Sequence, residues 1–237
     1  FRLYAVKNGK RETLGSAECI GESAWVLSRG AFDAPPPPAR HRVGFERGVP
    51  VSLDGERLAP VPLLERLEPL AARHGIGRGI HLGDTVLGTK GRVAYEAPAA
   101  EVLLAAHQEL EKLVLTGRQA RAKRGLADLY GALLHEGQHL DPVCRDIEQF
   151  LLSSQARVTG EVRLLLRAGQ VFVEGVSSDH SLMAASRGRY GEAAAEWTGA
   201  DALGYAKLLS IPGVLHTRAG QPQRAAEGGV AGAGGAT

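Results

Sequence analysis

Apolar residues recur at helical spacing in several parts of the chain. Leucines three and four residues apart in the segment 60–74 fall on one side of a helix, and Gly75 is suited to end it. The segment 98–115 carries a similar apolar stripe behind Pro98, a residue typical of the first helical turn. Three further helices are predicted at 117–136, 141–155 and 201–209.

Short apolar segments between turn residues indicate strands. The dipeptide Asp54-Gly55 favours a tight turn directly after one of them. Strands are predicted at 41–47, 49–53, 157–166 and 170–176, with two more within 80–96. Helices and strands therefore occur in separate runs. This arrangement predicts an α+β fold in which antiparallel strands lie beside a cluster of long helices.

The composition of the 237-residue chain is ordinary, with 44% hydrophobic residues and a formal net charge of +2. A charge this close to zero gives no indication of a nucleic-acid partner. No apolar run approaches the ~20 residues of a membrane-spanning helix, and no signal peptide is visible. Cys19 and Cys144 are too few for a disulfide scaffold. We therefore expect a cytoplasmic protein that binds neither nucleic acid nor membrane.

Breaker residues and repetitive composition mark the two ends of the chain. Residues 1–40 lack a sustained period and include four consecutive prolines, which indicates a short N-terminal segment and a proline-rich linker. Residues 41–217 hold most of the predicted elements and form the main domain. Gly and Ala dominate from 218 to 237, where we expect a disordered tail. Because the first residue is Phe1, we expect a piece of a longer protein.

The string His135-Glu136-Gly137-Gln138-His139 fits the H-E-x-x-H pattern of zinc peptidases. On a helix, two histidines four residues apart share a face and can hold zinc. Gly137 disfavours a helix by about 1 kcal/mol relative to Ala, and Asp141-Pro142 has the form of a new helix start. The sequence therefore favours a helix that ends near Gly137, which would leave His139 off the face of His135. A zinc peptidase is the alternative.

Five groups of residues occur in a characteristic order and spacing. They are Phe45-Glu46-Arg47-Gly48-Val49-Pro50-Val51; Arg73-His74-Gly75-Ile76-Gly77-Arg78; Lys90-Gly91-Arg92 with Tyr95-Glu96-Ala97-Pro98-Ala99; Ala105-Ala106-His107 with Glu109-Leu110-Glu111; and Ser153-Ser154-Gln155 with Val158-Thr159-Gly160-Glu161-Val162. Together they resemble the C-terminal synthetase domain of argininosuccinate synthase, over about residues 1–210. The segment 41–217 would then be that synthetase domain.

The resemblance implies a carbon–nitrogen ligase. In that family an N-terminal ATP-pyrophosphatase domain precedes this portion, and the whole enzyme joins citrulline to aspartate while ATP, with Mg²⁺, is cleaved to AMP and pyrophosphate. The ureido oxygen of citrulline attacks the α-phosphorus, and the aspartate amine then displaces AMP. The C-terminal portion holds citrulline and assembles the enzyme into a homo-oligomer, a tetramer in the family.

The resemblance also implies a set of citrulline contacts. Tyr95 matches the family tyrosine that contacts citrulline, and a phenol can hydrogen-bond a ureido or carboxylate group. Many members carry a citrulline-binding glutamate where this chain has Gly83, and we expect Asp84 or Thr85 to take over its polar role. No catalytic residue and no metal ligand in this chain is implied.

The sequence departs from the family pattern in two places. In the family, a Ser-Gly-Gly-x-Asp string holds the pyrophosphate of ATP, and the present sequence does not contain that string. In addition, Ala5 stands in place of a substrate-contacting serine of the family. We therefore expect this chain to bind no ATP and to be inactive in isolation. A non-catalytic oligomerisation remnant of such an enzyme is a further alternative.

Overall fold

A computed structural model describes residues 2–4, 16–17, 19–84, 87–186 and 197–220. The chain divides into two compact units, Phe1–Ala185 and Ser186–Thr237. The strands are β1 (Arg2–Tyr4), β2 (Ala39–Glu46), β3 (Val49–Leu53), β4 (Glu56–Arg57), β5 (Arg78–Asp84), β6 (Lys90–Glu96), β7 (Gly160–Arg167) and β8 (Gln170–Ser177). The α-helices are α1 (Pro60–Ala72), α2 (Pro98–Val114), α3 (Gly117–His135), α4 (Pro142–Gln155), α5 (Leu182–Ala185) and α6 (Gly199–Ala219), and a short 3-10 helix spans Glu22–Ala24. The predicted mixture of helices and antiparallel strands is confirmed.

Capping residues explain where three of the helices begin, namely α3, α4 and α6. Thr116 and Gln119 form a capping box at the start of α3, in which each side chain accepts a hydrogen bond from the other residue's backbone N–H. The side chain of Asp141 caps α4, directly before a proline at the first helical position. Thr198 and Asp201 form a second capping box at the start of α6. These caps satisfy backbone donors that a helix start leaves unpaired.

Five strands form an antiparallel sheet in the order β4-β3-β2-β7-β8. The chain reverses between β2 and β3 at Arg47 and Gly48, with φ of 49° and 80°. It reverses again at Asp54 and Gly55, with φ of 53° and 86°. Two consecutive positive φ angles are typical of the tight turns that match the twist of a hairpin. The turn predicted at Asp54-Gly55 is therefore confirmed.

One face of the five-stranded sheet packs against α1 and α2. Val43 on β2 pairs with Leu53 on β3 and with Val162 on β7, and all three side chains are buried. The helices contribute Leu67 and Leu110, both with 0% of their surface exposed. Burial of such a side chain stabilises the fold by about 1.5–3 kcal/mol. The main core of the first unit therefore lies between this sheet and the two helices.

The strands β1, β6 and β5 form a separate antiparallel sheet, with β6 in the middle. The hairpin of β5 and β6 pairs without interruption from Arg78 opposite Glu96 to Asp84 opposite Lys90. Its open end lies against the start of α2. A Cβ added at Gly77 would approach the backbone of the Ala97-Pro98 junction to 2.6 Å, so only glycine fits there. The hairpin is thus fixed to the core at one end.

Two sequence predictions require correction. The last helix, predicted at 201–209, extends over Gly199–Ala219, because Pro212 removes only one backbone hydrogen bond and the helix continues past it. The N-terminal segment, where no element was predicted, contributes the strand Arg2–Tyr4. Among the described helices, none is long and apolar enough to span a membrane.

Candidate functional site

The two faces of the β5–β6 hairpin carry different side chains. Because neighbouring residues of a strand point to opposite faces, the pairing register decides which side chains lie together. Tyr95 pairs with Gly79, and His81 pairs with Val93. The face that carries Tyr95 consists of Gly79, His81, Gly83, Gly91, Val93 and Tyr95. Half of these six residues are glycines, so the Tyr95 phenol and the His81 imidazole are the two polar side chains of this face.

The ring of Tyr95 lies across the neighbouring strand, over Gly79. A Cβ added at Gly79 would come within 2.6 Å of the Tyr95 atoms Cζ, Cε1 and Oη. Tyr95 itself is half-buried, on the middle strand of its sheet, with Leu3 of β1 as its pairing partner on the other side. The position of the phenol therefore depends on the glycine beside it.

Asp84 lies on the opposite face of the hairpin from Tyr95. Its carboxylate forms an ion pair with its cross-strand partner Lys90, at 2.6 Å between Oδ1 and Nζ, and both side chains are 69% exposed. Lys90 and Tyr95 are five positions apart on β6, which corresponds to about 16 Å along a strand. The structure therefore does not bring Asp84 and Tyr95 together. Thr85 lies outside the described residues.

His81 is a polar residue of the Tyr95 face that the sequence analysis did not select. Its ring leans along β5, so that a Cβ at Gly83 would collide with it. The side chain is exposed and lies two residues from Gly79. The signal that identifies it is strand alternation, which places residues 79, 81 and 83 on one face.

Behind Tyr95, on the other face of β6, lies a fully buried carboxylate. Glu96 has 0% of its surface exposed and accepts hydrogen bonds from the backbone N–H groups of Val26, Leu27 and Ser28, at 2.7, 2.9 and 2.9 Å. The hydroxyl of Ser28 also donates to it. A buried carboxylate requires such donors, because an unpaired charge in the interior is costly.

Arg78, the cross-strand partner of Glu96, binds the same part of the chain, the loop formed by residues 22–32. Its guanidinium lies over the rings of Trp25 and Phe32, at 5.1 and 4.6 Å from the ring centroids. It donates to the hydroxyl of Ser28 at 2.7 Å and to both carboxylate oxygens of Glu22 at 2.7 and 2.8 Å. This pair of hydrogen bonds, together with one from a backbone N–H, lowers the pKa of Glu22 to about 2.

The zinc-like string does not lie on one helix. Helix α3 ends at His135, and Gly137 adopts a φ of 75°, which a right-handed helix excludes. His139 follows in the turn before α4, where its carbonyl oxygen accepts a hydrogen bond from Arg145. The predicted helix end is therefore confirmed. Within the described part of the chain, no group of three or more potential ligands could hold a metal ion.

Comparison with known proteins points to one family. The family model of the arginosuccinate synthase C-terminal domain matches residues 8–215. The argininosuccinate synthase of Xylella fastidiosa is 40% identical over 209 residues, which are 87% of this chain and 51% of that protein. The argininosuccinate synthase of Microcystis aeruginosa is 41% identical over 170 residues, which are 72% of this chain and 42% of that protein.

The family match covers most of the described fold. The chain spans about half the length of the relatives that it matches. The matched region 8–215 includes both sheets' paired strands from β2 onward, the helices α1 to α5 and most of α6. The chain therefore belongs to the argininosuccinate synthase family and corresponds to its C-terminal domain.

Proposed function

We propose that this chain is the citrulline-binding and assembly portion of an argininosuccinate synthase, an ATP-dependent ligase of arginine biosynthesis. The support is its family membership and the names of its relatives. The reaction joins citrulline and aspartate. The portion matched here contributes by holding citrulline in place, which is a contribution from proximity rather than from acid–base chemistry.

The position of Tyr95 carries this proposal. Its phenol lies on a glycine-rich face of the hairpin, and a phenol oxygen can donate to or accept from the ureido and carboxylate groups of citrulline. The side chain is half-buried, so a hydrogen bond made there is partly shielded from water. We assign Tyr95 as the main citrulline contact of this chain.

The other proposed contacts have a smaller expected role. Asp84 is already paired with Lys90 and lies on the far face, so we expect it to contribute less than Tyr95. Thr85 remains a proposed contact from the family resemblance alone. His81 shares the face of Tyr95 and is a better-placed second polar group.

We propose that the described residues hold neither ATP nor Mg²⁺. The sequence has no Gly-rich phosphate loop of the P-loop type, and the described residues contain no cluster of metal ligands. We therefore propose that ATP and Mg²⁺ are bound by residues outside this sequence, in the whole enzyme.

We further propose that the chain forms a homo-oligomer, up to a tetramer, through α6. Apolar side chains lie around the whole circumference of this helix, and every residue of it is exposed within its own chain. Leu208 and Leu209, for example, are 67% and 62% exposed. A helix that is apolar on all sides is normally buried, and a second copy of the chain would supply the missing cover.

Calorimetric titration with citrulline tests the central assignment. If the chain binds citrulline through the phenol, Tyr95→Phe weakens binding by about 1–3 kcal/mol, the range for one buried hydrogen bond. Tyr130→Phe is the matched control, because it removes a phenol hydroxyl from α3 and not from the hairpin. That hydroxyl donates to Glu148 on α4 at 2.8 Å. An affinity unchanged by Tyr95→Phe would contradict the assignment.

A further inference from the structure

We propose that Glu96 and Arg78 are positioning residues that hold Tyr95 in place, by fastening the loop 22–32 to the back of the β5–β6 hairpin. The functional part of this inference rests on the proposed citrulline contact of Tyr95. The contacts of Glu96 and Arg78 with the loop do not depend on that proposal. Neither residue faces the proposed binding surface. Both act from the opposite face of the same two strands.

Glu96 binds the loop 22–32 through its carboxylate. Both carboxylate oxygens are in use, since Oε2 accepts from the N–H groups of Val26 and Leu27, and Oε1 accepts from the N–H and hydroxyl of Ser28. Charge-assisted hydrogen bonds of this kind are roughly twice as strong as neutral ones. The backbone at Glu96 is therefore held firmly, and Tyr95 is the residue directly before it.

Arg78 binds the same loop through its guanidinium. Its Nε donates to the Ser28 hydroxyl, which in turn donates to Glu96, so the three side chains form one chain of hydrogen bonds. Its Nη2 also donates to the Ser28 carbonyl oxygen at 2.5 Å. The Arg78 side chain is only 11% exposed and contacts the rings of Trp25 and Phe32. This fixes β5 immediately before Gly79.

The two contacts meet at Tyr95. Glu96 pairs directly with Arg78, and the strand pairing continues without a bulge. The next pair along the hairpin is therefore Gly79 with Tyr95. Tyr95 is thus covalently next to Glu96, and Gly79 is covalently next to Arg78. Loosening of the loop would let both strands shift, and the ring would lose its position over Gly79.

Nuclear magnetic resonance of the 237-residue chain with labelled tyrosine rings tests the inference without a ligand. The sequence holds five tyrosines, and Tyr95→Phe identifies the signals of Tyr95. Ser28→Ala removes the central hydroxyl, and Glu96→Gln places an amide donor against backbone donors. We expect both to shift or broaden the Tyr95 ring signals while those of Tyr130 stay unchanged. Unchanged Tyr95 signals in the two variants would overturn the inference.

The control is Glu46→Gln, which removes a charge that pairs with Arg57 at an exposed site of the other sheet. It should leave the Tyr95 signals unchanged, and a shift there equal to that of Ser28→Ala would also overturn the inference. Should Glu96→Gln fail to fold, the comparison of Ser28→Ala with Glu46→Gln decides alone.

Citrulline titration separates this inference from the proposed function. Ser28→Ala should weaken citrulline binding by about fivefold or less, and Tyr95→Phe should cause a smaller further loss in that variant than in the parent chain. Losses that are additive would overturn a positioning role for the loop contact. If Tyr95→Phe alone has no effect on citrulline binding, the proposed function fails, and the tyrosine signals still decide whether the loop positions the ring.

Discussion

The ring of Tyr95 rests on Gly79, its direct partner on the neighbouring strand, with no room for a side chain between them. Gly79 has no positive φ, so its backbone is one that any residue adopts. The requirement for glycine at this position therefore comes from the contact with the phenol. The contact makes the orientation of Tyr95 sensitive to the smallest possible substitution beside it.

We predict that Gly79→Ala displaces the Tyr95 ring and weakens citrulline binding by about fivefold or more. The added methyl overlaps ring atoms, so the ring or the strands must shift to make room for it. Calorimetric titration measures the effect. Gly125→Ala on α3 is the control, because nothing lies within 4 Å of its added carbon, and an Ala there favours the helix by about 0.5–1 kcal/mol. Equal affinity in the Gly79 and Gly125 variants would contradict the prediction.

The fold should lose stability as the pH falls below neutral. His74 has 0% of its surface exposed, and neither ring nitrogen has a partner among the described residues. Burial, with the nearby charges of Arg73 and His41, lowers the pKa of His74 below its ordinary value of 6.5. The unfolded chain therefore takes up a proton first, so the free energy of unfolding is highest above about pH 7 and decreases as the pH falls through about 6.5.

Urea unfolding between about pH 8 and about pH 5.5 measures this slope. We expect His74→Leu to reduce the slope and the exposed His180→Leu to leave it unchanged. Part of the slope should remain in the first variant, because burial lowers the pKa of His107 in the same direction. A slope that is identical in the parent chain and in His74→Leu would show that His74 does not titrate as the structure requires.

Purified protein should contain less than one zinc ion per chain. Helix α3 ends at His135, and the φ of 75° at Gly137 directs His139 away from that helix. Metal analysis after dialysis measures the content. Stoichiometric zinc that is lost in His135→Ala would refute the expectation and favour the peptidase alternative.

Light scattering should show a dimer or tetramer in solution. Removal of the residues after Ala200 deletes nearly all of α6, and we expect the product to be a monomer or to aggregate. Removal of only the residues after Gly220 is the matched control and should leave the oligomer intact, because that segment is almost entirely polar residues, Gly and Ala. A monodisperse monomer from the intact chain would exclude assembly through α6.

Local signals in the sequence were sufficient to predict most of the elements. Asp141-Pro142 marked the start of α4, Asp54-Gly55 marked a turn, and Gly137 marked the end of α3, because each acts on backbone dihedrals within a few residues. The family resemblance, which rests on strings spread along the chain, identified the domain, and the comparisons confirm it. The helix α6 was predicted too short. A proline inside a helix usually ends it, but α6 continues past Pro212.

The arrangement of the candidate site was not predictable in the same way. Whether Tyr95 and Asp84 share a face depends on the strand register, and a shift by one residue reverses it. Five residues connect β5 to β6, and they contain no two-residue hairpin signal such as Asn-Gly or Asp-Gly that would fix the register. The contact of Glu96 with Ser28 spans 68 residues of sequence and leaves no local pattern. Side-chain alternation alone, applied to the observed register, reveals His81.

The location of bound citrulline tests the central claim most directly. A crystal structure of the chain grown with citrulline measures the distance from the Tyr95 hydroxyl oxygen to the nearest ureido or carboxylate atom of the ligand. We predict a hydrogen bond of about 2.5–3.0 Å, with citrulline over the glycine-rich face of β5 and β6. Citrulline bound elsewhere on the chain, or a hairpin face without ligand at saturating citrulline, would contradict the account.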